Sequence, residues 1–141
     1  MAQISIPEVV SFFKSEHGLT LSKLAQKKIF FENKSKSIVV AMPSSKVYEK
    51  GNGWVDLTKI QIELFKTYSH GFIVFRLSNS TVYYVDIKNL LPLLTQDSMH
   101  ENAREGEHWK LDIWSDKISV RKSDSFLSVK ENDSSCIRKC L

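Results

Sequence analysis

The chain has 141 residues, 42% hydrophobic and 26% charged, with 5 Gly and 3 Pro, enough for one compact domain and unlike a low-complexity chain. No window approaches the ~20 apolar residues of a membrane span and "MAQISIPEVVSFF" has no basic segment ahead of an apolar run, so the expected setting is cytoplasmic, with no membrane partner. The formal charge of +4 is local: residues 23–50 carry seven lysines against Glu32 and Glu49, a net of +5 that leaves −1 for the remainder, which suits contact with phosphates.

"SIPEVVSFFKSEHG" predicts the first helix. Ser5 and Glu8 have capping-box spacing, Pro7 sits in the first turn, Val9, Phe12 and Phe13 form an apolar stripe, and Gly18 stops it. "KKIFFENKSKSIVVAM" predicts a hairpin of two apolar runs, 29–31 and 38–42, around the polar turn 33–37. The second run does not alternate, so it is expected at the centre of its sheet with both faces covered. "SSKVYEKGNGW" reads as a loop with Asn52-Gly53 as its turn.

Thr58 and Gln61 open a second helix, with Ile60, Leu64, Phe65 and Tyr68 on one face and Gly71 ending it. "FIVFRL" and "TVYYVDI" make a hairpin over 78–80, and "KNLLPLL" a short helix broken near Pro92. Residues 96–106 read as an exposed loop. "HWKLDIW" and "KISVR" pair around Ser115-Asp116, "FLSVKEN" follows, and residues 133–141 form a flexible tail behind a single domain spanning 1–132. Helix, hairpin, helix, hairpin and a short α/β end predict an α/β fold in which helices flank a mixed central sheet.

Several constellations carry little chemistry. Cys136 and Cys140, four apart in the tail around Arg138 and Lys139, read as incidental thiols. His100 and His108 lie among Glu101, Glu105 and Glu107 and read as a solvated loop, while Asp86 and Lys88 read as a salt bridge or helix start. Asp86 and Lys88, with Glu63, are the other acidic and basic residues that could form a site. Of the aromatic residues, Tyr48 and Trp54 are the two expected to stack on bases.

"EVVSFFKSEHG", "KKIFFENKSKSIVVAMPSSK", "WVDLTKIQIELF" and "GFIVFRLSNSTVYYVDIKNL" occur in the order of the core of the archaeal Holliday junction resolvases, and the chain resembles that family and the wider PD-(D/E)XK, restriction-endonuclease-like superfamily over about two thirds of its length. Setting Ser44-Ser45 on the family's serine pair puts Ala41 where a metal-binding Glu belongs, Pro43 where the catalytic Lys belongs and Lys28 where the metal-binding Asp belongs. Glu8 alone keeps its family type. The resemblance therefore implies a restriction-endonuclease-like sheet with a degenerate active site: a hard divalent cation needs carboxylate ligands that Ala41 does not supply, and Pro43 offers neither charge nor donor.

What the resemblance leaves is a junction-resolvase-like protein that binds DNA, branched or otherwise, or scaffolds a recombination or repair complex without cutting. Lys27, Lys28, Lys34, Lys36, Ser44, Ser45, Lys46, Tyr48 and Lys50 are its expected nucleic-acid contacts. No cofactor is expected, and Mg²⁺ only if the chain is an active endonuclease with a rearranged site. The partners implied are nucleic acid, a second copy in a homodimer, and a companion nuclease or helicase. A protein-interaction subunit that does not touch nucleic acid is the other alternative.

Overall fold

The computed structural model describes residues 3–141. In chain order the elements are α1 (Ile6–His17), β1 (Ser22–Lys23), β2 (Phe30–Glu32), β3 (Ile38–Ala41), β4 (Ser44–Ser45), β5 (Gly53–Thr58), α2 (Lys59–Phe65), β6 (His70–Leu77), β7 (Val82–Asp86), α3 (Ile87–Leu90), β8 (His100–Asn102), β9 (Gly106–Ile113), β10 (Lys117–Val120), β11 (Phe126–Ser128) and α4 (Ser135–Arg138). Both capping boxes form. The Ser5 hydroxyl accepts from the Glu8 N–H while Glu8 Oε1 accepts from the Ser5 N–H, and Thr58 and Gln61 reciprocate in the same way. Gly18 closes α1 with φ +66, a left-handed cap.

The strands form two sheets. The first is mixed and runs β1-β2-β3-β6, with β4 lying beside β6 beyond the end of β3 and β7 on the far edge of β6. Its pairs are antiparallel except that β3 and β4 both run parallel to β6. The second sheet is wholly antiparallel: β5 flanks β9 on one side, β8 and β10 flank it on the other, and β11 lies outside β10.

Side-chain alternation assigns the layers. Ile38, Val40, Met42, Phe72 and Val74 face α1, where Val9 and Phe13 meet them. Val39, Ala41, Ile73 and Phe75 face the other way, onto Val55 and Leu57 of β5 and Trp109, Leu111 and Ile113 of β9. The order is helix, sheet, sheet. Of the expectation that helices flank a mixed central sheet, the mixed sheet is present and α1 covers one face, while the other face is covered by the second sheet, with α2 and α3 joining it. Residues 53–58, read from sequence as the end of a loop and the approach to a helix, alternate buried and half-buried along β5, the period-two pattern of a strand with one wet face.

Four further expectations change. Helix α2 ends at Phe65, and Gly71 lies inside β6. A Cβ there would sit 2.6 Å from Cδ1 of Phe65 and 3.0 Å from Cγ2 of Ile87, so glycine is required because two side chains pack on its Cα. The turn before β5 falls at Gly51, whose φ is +89 and whose N–H reaches the Tyr48 carbonyl, while Gly53 already pairs with Ile113. The C-terminal residues are not a tail: α4 seats Ile137, fully buried, in the layer under α1. Residues 100–102 form β8, where a loop was expected.

No helix of the described residues is long and apolar enough to cross a membrane. Tyr68 donates to Glu32 Oε1 at 2.6 Å, tying the turn after α2 to β2. Its pKa is pushed up to about 12 by burial and then by the Glu32 carboxylate, and burial first of all lifts Tyr83 and Tyr84 to about 12 as well.

Two outcomes follow from this packing. Gly71→Ala is expected to destabilise the fold by about 1–3 kcal/mol through overpacking, read as a lower denaturant midpoint; an unchanged midpoint would mean that Phe65 and Ile87 shift freely. A tyrosine whose folded pKa lies above its ordinary value favours the neutral, folded state, so this contribution is intact below pH about 10 and is lost as pH rises toward 12. Stability should fall across that window, with the phenolate absorbance of these three tyrosines appearing late; ionisation near pH 10 with the near-ultraviolet dichroism intact would contradict it.

Candidate nucleic-acid interface

The residues expected to bind nucleic acid separate into groups. Lys27 and Lys28, at the start of β2, line a shallow groove with Ile60, Gln61 and Leu64. Lys34 and Lys36 lie at the opposite end of the hairpin, in a turn organised by Asn33 Oδ1, which accepts from the N–H groups of Ser37 and Ile38. At ~3.3 Å per strand residue the two lysine pairs are roughly 15–20 Å apart. Ser44 and Lys46 are exposed. The Ser45 hydroxyl is already committed, accepting from the Trp54 N–H and donating to the Lys46 carbonyl, both at 2.7 Å.

Nor do the positions set on the family's catalytic residues meet in one cavity. Glu8 spends its carboxylate on the capping box of α1. Ala41 has no exposed surface and faces the second sheet, across the first sheet from α1. Pro43 is buried and Lys28 exposed, close together because the Met42 N–H reaches the Ile29 carbonyl. Asp86 caps α3, its Oδ1 accepting from the Lys88 N–H.

Pro43 has a visible backbone effect. The register against β6 is the same before and after it, Ala41 opposite Ile73 and Ser44 opposite Arg76. A proline nevertheless has no N–H for the ladder, and β3 and β4 are separated at this point. The Arg76 side chain, 7% exposed, turns into the gap: Nε and Nη2 donate to the Met42 carbonyl and Nη1 to that of Ile4. Burial lowers its pKa.

A different surface gathers aromatic and cationic groups. Trp54 and Asp56 on β5, with His108, Lys110 and Asp112 on β9, share the outer face of the second sheet, in the register Trp54 to Asp112 and Asp56 to Lys110. The Trp54 ring carries two cations, with Arg121 Cζ 4.9 Å and Lys110 Nζ 5.1 Å from its centroid. Arg121 is fixed by Asp112, Nε donating to Oδ2 at 3.0 Å and Nη2 to Oδ1 at 3.1 Å, and this pairing raises its pKa. Asn52 Nδ2 donates to Oδ1 of the same carboxylate at 2.9 Å. Tyr48, 47% exposed, completes an open groove of about 530 Å³ lined by Glu49, Lys50, Asn52, Trp54 and Arg121.

Of the residues at this groove, the sequence singled out Tyr48, Trp54 and Lys50 but not Asn52, Lys110 or Arg121. The alternation in "WVDLT" and "HWKLDI" was the available signal, since it puts Trp54, Lys110 and Asp112 on the wet face once the two strands are paired. Burial, then the neighbouring Asp86 carboxylate, pushes the Cys136 thiol up to about 11, and Cys140 is raised for the same leading reasons. The flanking Arg138 and Lys139 do not activate them.

No family model, no curated protein and no solved structure matches this chain.

Asp112 links Arg121 to the buried Asn52. Asp112→Ala is expected to cost about 1–3 kcal/mol, chiefly because the Asn52 amide loses its acceptor, and to free Arg121 from the groove wall. Chemical denaturation measures it; a loss no larger than that of Asn52→Ala combined with Asp112→Ala would place the cost elsewhere.

Proposed function

We propose that this protein binds nucleic acid, DNA in the first instance, without cutting it, and that the groove between Tyr48 and Trp54 is where an unpaired or splayed base stacks. The observation that carries this reading is the aromatic pair with Lys50, Lys110 and Arg121 around it. Aromatic faces accept any base, and the neighbouring cations meet the backbone. Single strands and branch points present such bases where uninterrupted duplex does not. Lys27 and Lys28 supply a second basic patch for a longer substrate.

The non-catalytic half of the proposal rests on Ala41 and Pro43. In the alignment that the resemblance implies, these residues supply neither oxygen ligand nor charge, and Ala41 and Glu8 lie on opposite sides of the first sheet, so no metal pocket forms between them. The restriction-endonuclease-like reading of the fold draws support from the first sheet, where α1, the β2-β3 hairpin, α2 and a β6 strand parallel to β3 follow in the implied order.

The test is anisotropy titration against labelled single-stranded, duplex and four-way-junction DNA at two salt concentrations, with and without Mg²⁺, with products resolved on a gel. Binding that weakens with salt, needs no Mg²⁺ and yields no products is expected. Tyr48→Ala should weaken it roughly tenfold to a hundredfold, from ~1–3 kcal/mol per stacked base. Lys50→Ala should reduce the salt slope by about one phosphate contact. Light scattering of the same samples reads the homodimer. Metal-dependent products would make the chain a nuclease, and no salt-dependent binding to any substrate would make it a protein-interaction subunit; either result overturns the proposal.

A further inference from the structure

Beside the Trp54 groove, the same outer face holds three groups of a different kind. One carboxylate oxygen each of Asp56 and Glu105 and one ring nitrogen of His108 lie within 4.8 Å of one another. His108 is 1% exposed, and its Nε2 has no hydrogen-bond partner. Its Nδ1 lies 2.9 Å from the Gly106 carbonyl. A carbonyl oxygen can only accept, so Nδ1 carries the proton and Nε2 of the neutral ring presents a lone pair. A backbone acceptor behind one imidazole nitrogen, orienting the other outward, is the arrangement found behind metal-bound histidines.

Other orphaned atoms point to the same place. Five buried side-chain nitrogens and oxygens lack a hydrogen bond among the described residues, and three of them are Asp56 Oδ1, His108 Nε2 and His100 Nε2. His100 sits opposite His108 in the β8-β9 pair, its ring stacked on that of His108 at 5.7 Å. A fold that leaves polar atoms unpaired at one spot carries a desolvation cost there that a ligand removes. Asp56 Oδ1 has an ion pair instead of a hydrogen bond, with Lys110 Nζ at 3.6 Å.

We infer that Asp56, Glu105 and His108 form a binding site for a divalent cation of the zinc and cobalt kind. Two carboxylate oxygens and an imidazole nitrogen suit such a borderline cation better than Mg²⁺ or Ca²⁺, which favour oxygen throughout. Bonds of about 2.1 Å in a tetrahedron separate ligand atoms by about 3.4 Å, so the cluster needs to close by roughly an ångström. Glu105, in the partly exposed turn between β8 and β9, supplies that movement. It also lines an open groove with Glu63, Glu101 and Glu107, an acidic approach for a cation. Lys110 is the competitor for Asp56, and the Trp54 ring, already 5.1 Å from its ammonium, offers it another position. The site owes nothing to the nucleic-acid reading, and its test uses no DNA.

The experiment is calorimetric titration of the chelator-stripped full chain with Zn²⁺, repeated with Co²⁺ as an optical probe. One equivalent should bind to the wild type and to Cys136→Ser/Cys140→Ser, which removes the thiols as an alternative site. Affinity should fall at least about tenfold in His108→Gln and in Glu105→Gln and rise in Lys110→Met. Because His108 is buried, its variant is paired with a thermal melt, while Glu105→Gln removes a ligand from a surface turn. No stoichiometric binding to the wild type, undiminished binding in Glu105→Gln, or binding abolished by the cysteine variant overturns the assignment.

Discussion

Both faces of the first sheet are apolar, and the rest of the molecule answers that constraint. Residues 38–41 and 72–75 form the central parallel pair, and none of them is more than 4% exposed. Water must be kept from two sides at once. One helix of three turns, with Val9 and Phe13 inward and Ile137 of α4 filling beside it, seals one side. The other side is wider than one short helix can cover, and β5, α2, β9 and β10 fold onto it. The second sheet is thereby left with one apolar and one solvated face. A solvated sheet face is where a domain can hold Trp, Lys, Asp and His together in fixed register without sacrificing its core, and here both the aromatic groove and the Asp56–His108 cluster lie on it.

What could be read from the residues was what local chemistry decides. Both capping boxes, the hairpin around 33–37, the break at Pro92 and the buried centre at residues 38–42 follow from neighbours within four positions, and the structure has them. The β9-β10 hairpin of the second sheet was read, but β5 was missed because it borders on a strong helix signal: Thr58 ends the strand and caps α2, so the capping box drew the reading forward over residues whose alternation meant a strand. Gly71 looked like a helix stop and is a contact glycine, a role that depends on Phe65 and Ile87 arriving from other elements. His100 and His108 looked solvated because their neighbours are charged. Only the pairing of β8 with β9 stacks the rings and buries one of them.

The lysines teach the same lesson at the level of the site. Seven of them within twenty-eight residues make a dense basic segment along the chain, but a hairpin sends Lys28 and Lys34 to opposite ends. Proximity came instead from residues far apart in sequence, as in Asn52, Asp112 and Arg121 sharing one carboxylate. Spacing along a chain predicts a face only within an element, and this surface spans three.

The contact between Arg76 and the Met42 carbonyl bears on which side chains position 43 can accept. A guanidinium with no carboxylate partner among the described residues occupies the backbone gap that Pro43 opens. Exchanging Pro43 for lysine would return an N–H to the strand, invite β3 and β4 to join, and bring a second cation near one that is already buried. A lysine at this position is therefore disfavoured by the surrounding architecture. The proline and the arginine are coupled: the guanidinium of one fills the backbone gap beside the other, so a substitution at either position acts on both.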